Sequence, residues 1–302
     1  MSVVERKRLS PGWLGESSPL ACVVGLGLIG GSWAGALHTR GWRVLAVDHS
    51  PDSLERAREM GWIDEGYLSM PEYFDFDLIV LALPLPLLLP GLMGLTGLSG
   101  KIRPGAIITD VGSLKAEICA EMPELLGKDV WFIGGHPMTG SEKSGIQAAT
   151  PDLFKGYPYV LTPEGCREDA LLSLTALLED MGAHVVLRGR ERHDEEVAMV
   201  SHVPHFLAVA LALAAQDISR EGDSALELAG RSFREATRVA ESSPEMWREI
   251  ALKNRAAILA GLECWQKRLD ELKDCLLSRD GEGIAGSFRA AARVRRTMRW
   301  ED

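Results

Sequence analysis

The chain has 302 residues, 46% hydrophobic and 25% charged, enough for two compact domains that each bury a core. Its 33 Lys plus Arg against 43 Asp plus Glu give a net charge of -10, which repels a phosphate backbone, so nucleic acid is not an expected partner. Five cysteines, Cys22, Cys119, Cys166, Cys264 and Cys275, are odd in number and form no C-x-x-C pair; neither a disulfide framework nor a thiolate metal site is expected, and a reducing cytoplasm fits.

Residues 1–18 carry a basic cluster with no apolar run behind it, which reads as an extension and not a secretory signal. Residues 19–189 alternate apolar runs with segments of helical period, predicting strands at 21–24, 43–47, 78–83, 106–109, 130–133, 157–161 and 184–187. This is the pattern of a mostly parallel, doubly wound α/β sheet. The run 78–100 is uncharged and long enough to cross a bilayer, but Pro84, Pro86 and Pro90 would break a spanning helix. A buried strand followed by a Pro-started helix accounts for it, and no membrane association is expected. Residues 190–302 read as an all-α domain, with breaks near Gly222, at 242–244 and at 280–283. Within it, 206–215 (F-L-A-V-A-L-A-L-A-A) is apolar on every face, so a second surface must cover it, most simply a twin subunit in a homodimer.

The segment G-L-G-L-I-G (25–30) follows the first strand and opens a helix. Gly25 allows the tight turn, Gly27 lets a pyrophosphate approach the backbone, and Gly30 lets helix and strand pack closely. The phosphate would sit on the helix N-terminus, beside Leu28 and Ile29. Asp48 ends the second strand 18 residues beyond Gly30, where an acid accepts ribose hydroxyls and repels a 2′-phosphate. The domain therefore reads as a Rossmann domain for NAD in preference to NADP. Leu83, ending the third expected strand, and Pro84 after it are expected to line the same site.

Four further groups could carry chemistry. Ser113, in D-V-G-S-L-K, is either a helix cap or a hydroxyl at the crevice. His136, in G-G-H-P-M-T-G-S-E-K-S-G with Glu142, is placed in a loop after its strand; it is either structural or a general base at the mouth of the cofactor crevice. His202 and His205, in S-H-V-P-H, lie one turn apart on a helix starting near Pro204; zinc could use such a pair, but no third ligand is apparent and no metal is expected. Arg234 and Arg238 share a helix face beside Glu235, an arrangement that is ordinarily a solvated charged stripe.

Taken together and in order, G-L-G-L-I-G-G-S, D-V-G-S-L-K, G-H-P-M-T-G-S-E-K-S-G, S-H-V-P-H and A-T-R-V-A-x-S-x-P-x-M-W make the chain resemble the prephenate and arogenate dehydrogenases from residue 20 onward. The resemblance implies a nucleotide-binding domain joined to a helical dimerisation domain, with the substrate between them. It implies His136 as the catalytic histidine, Ser113 as its hydroxyl partner, Arg238 as carboxylate binder, His205 lining the pocket, and an ionic gate of Glu142, Glu235 and Arg238. Position 235 in that family is more often Asp. With no mutase segment before the first strand and no room after the helices for a regulatory domain, the minimal, monofunctional form is expected. A β-hydroxyacid dehydrogenase would instead need a K-x-x-x-N helix motif, whereas Lys253 is followed directly by Asn254. A non-catalytic NAD sensor would need an effector module, for which residues 1–18 are too short.

Overall fold

A computed structural model describes residues 18–71, 75–89, 102–126, 129–140, 144–218 and 225–298. The chain divides into two compact units, one ending at His193 and one beginning at Asp194.

The first unit is built on strands β1 (Leu20–Val24), β2 (Arg43–Val47), β3 (Glu65–Tyr67), β4 (Leu78–Leu81), β5 (Ile107–Asp110), β6 (Trp131–Pro137), β7 (Pro158–Thr162) and β8 (His184–Leu187), in the order β3-β2-β1-β4-β5-β6-β7-β8. The apolar runs have no polar face to offer water, so they lie mid-sheet with both sides covered. All four residues of β4 and of β5 are buried. Alternate residues go to opposite faces, as the two-residue period requires. Val23, Val44, Val80 and Ile107 pack with Trp33 and Leu37 of helix Leu28–His38. Cys22, Leu45, Ile79 and Ile108 pack with Ile118 and Met122 of helix Ala116–Leu126. The direction of winding reverses between β1 and β4, which makes the crevice beyond their C-terminal ends the expected ligand position.

Three differences from expectation have local causes. β3 (E-G-Y) is a short edge strand without an apolar run, and only its pairing with β2 reveals it. The expected strand 78–83 stops at Leu81, and the uncharged residues 90–100 lie outside the described ones. The strand expected at 130–133 instead runs on to Pro137, because the chain leaves β5 and pairs antiparallel with β7, His136 opposite Val160. Gly134 and Gly135 read as loop in the sequence but are demanded by this strand. A Cβ on Gly134 would lie 2.1 Å from Thr162 Oγ1, and one on Gly135 2.5 Å from the Asp110 carbonyl oxygen.

The second unit is helical throughout its described residues: Val203–Asp217, Arg231–Thr237, Pro244–Lys253, Arg255–Leu277 and Gly281–Thr297, with short 3-10 turns between. The breaks expected at 242–244 and 280–283 are capped by Ser243, which accepts from Met246 N–H at 3.3 Å, and Asp280, which accepts from Gly283 N–H at 2.9 Å. The α-helix expected to start near Pro204 starts at Val203 and carries His205, but it continues from an earlier helix, and His202 lies in the turn before it. Arg190–Val197 runs through a π turn, Ala198–His202, into Val203–Asp217. Pro204 lacks the N–H that an α-turn would give to Val200, and the wider turn falls where that bond is missing. Arg190–Asp217 is long and apolar enough to cross a membrane by length and composition, with 28% of its most apolar window buried. Along Val203–Asp217 only Val203 and Ala208 are buried, while Val209, Leu211 and Leu213 are exposed in the single chain.

Candidate active site

The glycine turn after β1 is built by contact. Gly25 has φ +94°, and a Cβ there would lie 2.3 Å from the Ala82 carbonyl oxygen at the end of β4. A Cβ on Gly30 would lie 1.8 Å from the Gly25 carbonyl oxygen. Gly27 is the opposite case: exposed, it caps the helix that starts at Leu28, and a Cβ there would meet nothing within 4 Å. The turn is thus closed from behind and open in front. The first helical turn carries no acidic side chain, so its free N–H groups are available to an anion. Leu83 lies beside Gly25, Pro84 is exposed just beyond it, and Ile29 is half-buried. These residues fit a dinucleotide pyrophosphate.

Asp48 does more than the sequence suggests. Its Oδ2 accepts the Leu26 N–H at 2.6 Å and its Oδ1 the Ser50 N–H at 2.8 Å, tying the glycine turn to the end of β2. A carboxylate has about four acceptor positions, so ribose hydroxyls can still be accommodated.

Ser113 lies in the bend between β5 and helix Ala116–Leu126, and His136 is on β6, the next strand. What holds the two segments together was not singled out in the sequence. Asp110, the last residue of β5, and Lys115 are both completely buried and form an ion pair. Asp110 Oδ2 also accepts the Gly112 N–H at 2.8 Å, and Oδ1 accepts the Gly135 N–H at 3.1 Å. One carboxylate therefore pins both the turn bearing Ser113 and the residue before His136. The residues were visible in D-V-G-S-L-K, but a lysine normally signals surface, and burial is legible only once the fold is known. Also missed was His193, buried on helix Arg190–Val197, whose Nε2 is 2.9 Å from His136 Nδ1. It sits in the run R-E-R-H-D-E-E, which reads as a solvated helix.

A separate cluster forms in the helical unit. His205 Nδ1 donates to the Ser201 carbonyl at 2.8 Å, and its ring stacks on Trp247 with centroids 3.9 Å apart. Burial pushes the His205 pKa below its ordinary 6.5, the nearby positive charge of Arg238 adds to this, and the Ser201 bond opposes it. Folding thus favours the neutral ring, a contribution to stability that is complete above pH 6.5 and lost as pH falls through the folded-state value. We expect an NMR titration of His205 with a midpoint below 6.5, and a shift upward in Arg238→Gln; a midpoint at or above 6.5 would contradict this environment. Trp247 Nε1 is buried and has no hydrogen-bond partner among the described residues. His202, buried, is bonded through Nδ1 to the Asn254 amide at 3.2 Å, and the same amide donates to the Asp194 carbonyl at 2.9 Å. Glu235 pairs with Arg231 at 2.6 Å, one turn earlier on its helix, and Arg238 opens the following 3-10 turn. Glu142, the remaining member of the expected gate, lies outside the described residues.

Comparison with known proteins decides the family. Residues 33–187 match the model for the prephenate dehydrogenase nucleotide-binding domain, and residues 190–290 the model for the prephenate dehydrogenase dimerization domain. The chain belongs to the prephenate dehydrogenase family. The prephenate dehydrogenase of Lactococcus lactis subsp. cremoris is 34% identical over 91% of this chain and 76% of its own length. Among solved structures, prephenate dehydrogenase from A. aeolicus in complex with hydroxyphenyl propionate and NAD+ superposes with a TM-score of 0.85 at 31% identity, covering 93% of this chain and 98% of that one. Synechocystis arogenate dehydrogenase superposes with a TM-score of 0.79 at 32% identity, covering 92% and 99%. Within this family the fold is the expected one, a parallel-dominated sheet followed by helices.

Proposed function

We propose that this chain oxidises and decarboxylates prephenate to 4-hydroxyphenylpyruvate with NAD, as a cytoplasmic homodimer in tyrosine biosynthesis. One observation carries the reading. The glycine turn, Leu83 and Ser113 follow β1, β4 and β5, and His136 is the next-to-last residue of β6; these four strands run parallel, so all four groups stand towards the C-terminal end of one sheet.

The dinucleotide held by Gly25, Gly27, Gly30 and Asp48 supplies the hydride acceptor for C4 of the ring. His136 takes the C4 hydroxyl proton as hydride leaves that carbon, so a ketone forms without a high-energy oxocarbenium charge. The bond from C1 to its carboxylate then breaks, carbon dioxide leaves, and the electron pair flows through the ring to the C4 oxygen, which recovers the proton from His136. Aromatisation makes the sequence irreversible. Ser113 orients the hydroxyl, and Arg238 offers the planar, two-pronged donor that a substrate carboxylate matches. The neutral ring of His205 and the Trp247 N–H, which has no partner among the described residues, supply an acceptor and a donor in the helical unit. Glu142 and Glu235 are assigned to gating the anion site.

The likeness to Synechocystis arogenate dehydrogenase favours arogenate as a second reading, since the two substrates differ only in a side-chain ketone or amine. Steady-state assays with both substrates and both cofactors test the proposal. We expect kcat/KM to be highest for prephenate with NAD; a preference for arogenate establishes the second reading, and equal use of NADP refutes the role of Asp48. Asp48→Ala is expected to narrow the NAD preference and, because it also frees the glycine turn, to raise the KM for NAD by about 10- to 100-fold, as befits loss of charge-assisted hydrogen bonds.

The apolar face of Val203–Asp217 continues into a groove lined by Leu211, Ala214, Ile218, Leu226 and Phe233. A twin subunit would cover it with a large hydrophobic interface of the obligate kind. Light scattering at micromolar concentration is expected to give twice the chain mass, with the protein in the supernatant after high-speed centrifugation; a stable monomer or a membrane-bound chain would contradict the dimer.

A further inference from the structure

The proposed base is not alone in its half of the molecule. His136 Nδ1 and His193 Nε2 are 2.9 Å apart, the rings meet at 68°, and the hydrogen bond between two such nitrogens holds one proton. Where that proton resides decides what His136 can do. If it is on His136 Nδ1, then Nε2 carries a lone pair and can take a proton; if it is on His193 Nε2, neutral His136 has its own proton on Nε2 and cannot.

We propose that His193 is the positioning residue of the reaction: it accepts the His136 Nδ1–H, fixing the base in the tautomer with a free Nε2 lone pair and stabilising the imidazolium that forms during turnover. The inference rests on the reading of His136 as the base. His193 is built to be held. It is only 1% exposed, its backbone N–H donates to the Gly189 carbonyl at 2.8 Å, and the helix carrying it is anchored at its first residue, where Arg190 N–H donates to Glu164 Oε1 at 2.7 Å. Glu164 follows β7, the strand paired with β6 opposite His136, so both partners are fixed to the same pair of strands. When His136 takes a proton at Nε2, its remaining N–H becomes a charge-assisted donor, and the bond to His193 strengthens as charge develops. That is a differential effect on the transition state, so it acts on kcat and not on binding.

Two variants and one spectrum test this. His193→Leu removes the acceptor and is expected to lower kcat by about 10- to 100-fold, part of what the base itself contributes, with KM for both substrates within about twofold of wild type. His193→Gln keeps an acceptor oxygen and is expected to restore kcat to within about threefold. Wild-type kcat in His193→Leu, or His193→Gln no better than His193→Leu, would overturn the proposal. Independently of either variant's folding, long-range 1H–15N correlations of the wild-type holoenzyme, labelled at histidine nitrogen and recorded near pH 9, well above the ordinary histidine value, are expected to place the His136 proton on Nδ1. A proton on Nε2 would overturn it. If His136→Asn is inactive but His193→Leu is fully active, only this inference fails; if His136→Asn is itself active, the reading of the base fails.

Discussion

His136→Asn is expected to lower kcat by about 10²–10⁴ with little change in the KM for prephenate or NAD, because a positioned general base acts on the transition state alone. The variant should fold. His136 pairs with Val160 through the backbone, asparagine is smaller than histidine, and the neighbouring glycines that the strand requires are untouched. Arg238→Ala is expected to give the complementary result, a KM for prephenate raised by about 10- to 100-fold with a smaller change in kcat, since a charged partner lost from a carboxylate weakens ground and transition states together. Steady-state kinetics of the two variants separate these roles. An asparagine variant with near-normal kcat, or an exchange of the two phenotypes, would show that the assignments are wrong within the right family.

Lys115→Met is expected to destabilise the nucleotide-binding unit by about 3–5 kcal/mol, the usual cost of removing one partner from a buried ion pair. Asp110 and Lys115 are both at 0% exposure, so among the described residues the Asp110 carboxylate would be left with two backbone N–H donors, those of Gly112 and Gly135. The same change frees the turn bearing Ser113 and the backbone before His136, so activity should fall along with stability. Asp110→Asn combined with Lys115→Met should lose much less than the sum of the single changes, because no unpaired charge remains buried. Denaturant unfolding of the four proteins measures this. Additive losses would mean that the pair contributes no coupling and that the two segments are held by other contacts.

Much of this molecule was legible because its signals are local. The glycine turn, Asp48 and the fully apolar strands are dictated by backbone contact and by burial on both faces, and both leave their mark in consecutive residues. Strand β6 was cut short because Gly134-Gly135 imitates a loop; only the approach of Thr162 and Asp110 explains why glycine is needed within a strand. Lys115 and His193 were passed over for a related reason: a lysine, or a histidine among charged neighbours, predicts solvent, and the partners that bury them stand 5 and 57 positions away. In the sequence Asn254 stands out only as the neighbour of Lys253, whereas its amide links the carbonyl of Asp194 with His202. In the helical unit the all-apolar stretch 206–215 was plain from composition, and in the single chain most of it remains exposed.

Turnover of prephenate by oxidation coupled to loss of its ring carboxylate leaves three products that can each be measured. Incubation of the purified chain with prephenate and NAD, with the products identified by mass spectrometry and NADH followed by absorbance, tests it most directly. 4-Hydroxyphenylpyruvate, carbon dioxide and NADH are expected in a 1:1:1 ratio, which is the stoichiometry of the proposed reaction. NADH formed without carbon dioxide, or no turnover of prephenate by a chain that binds NAD, would contradict it.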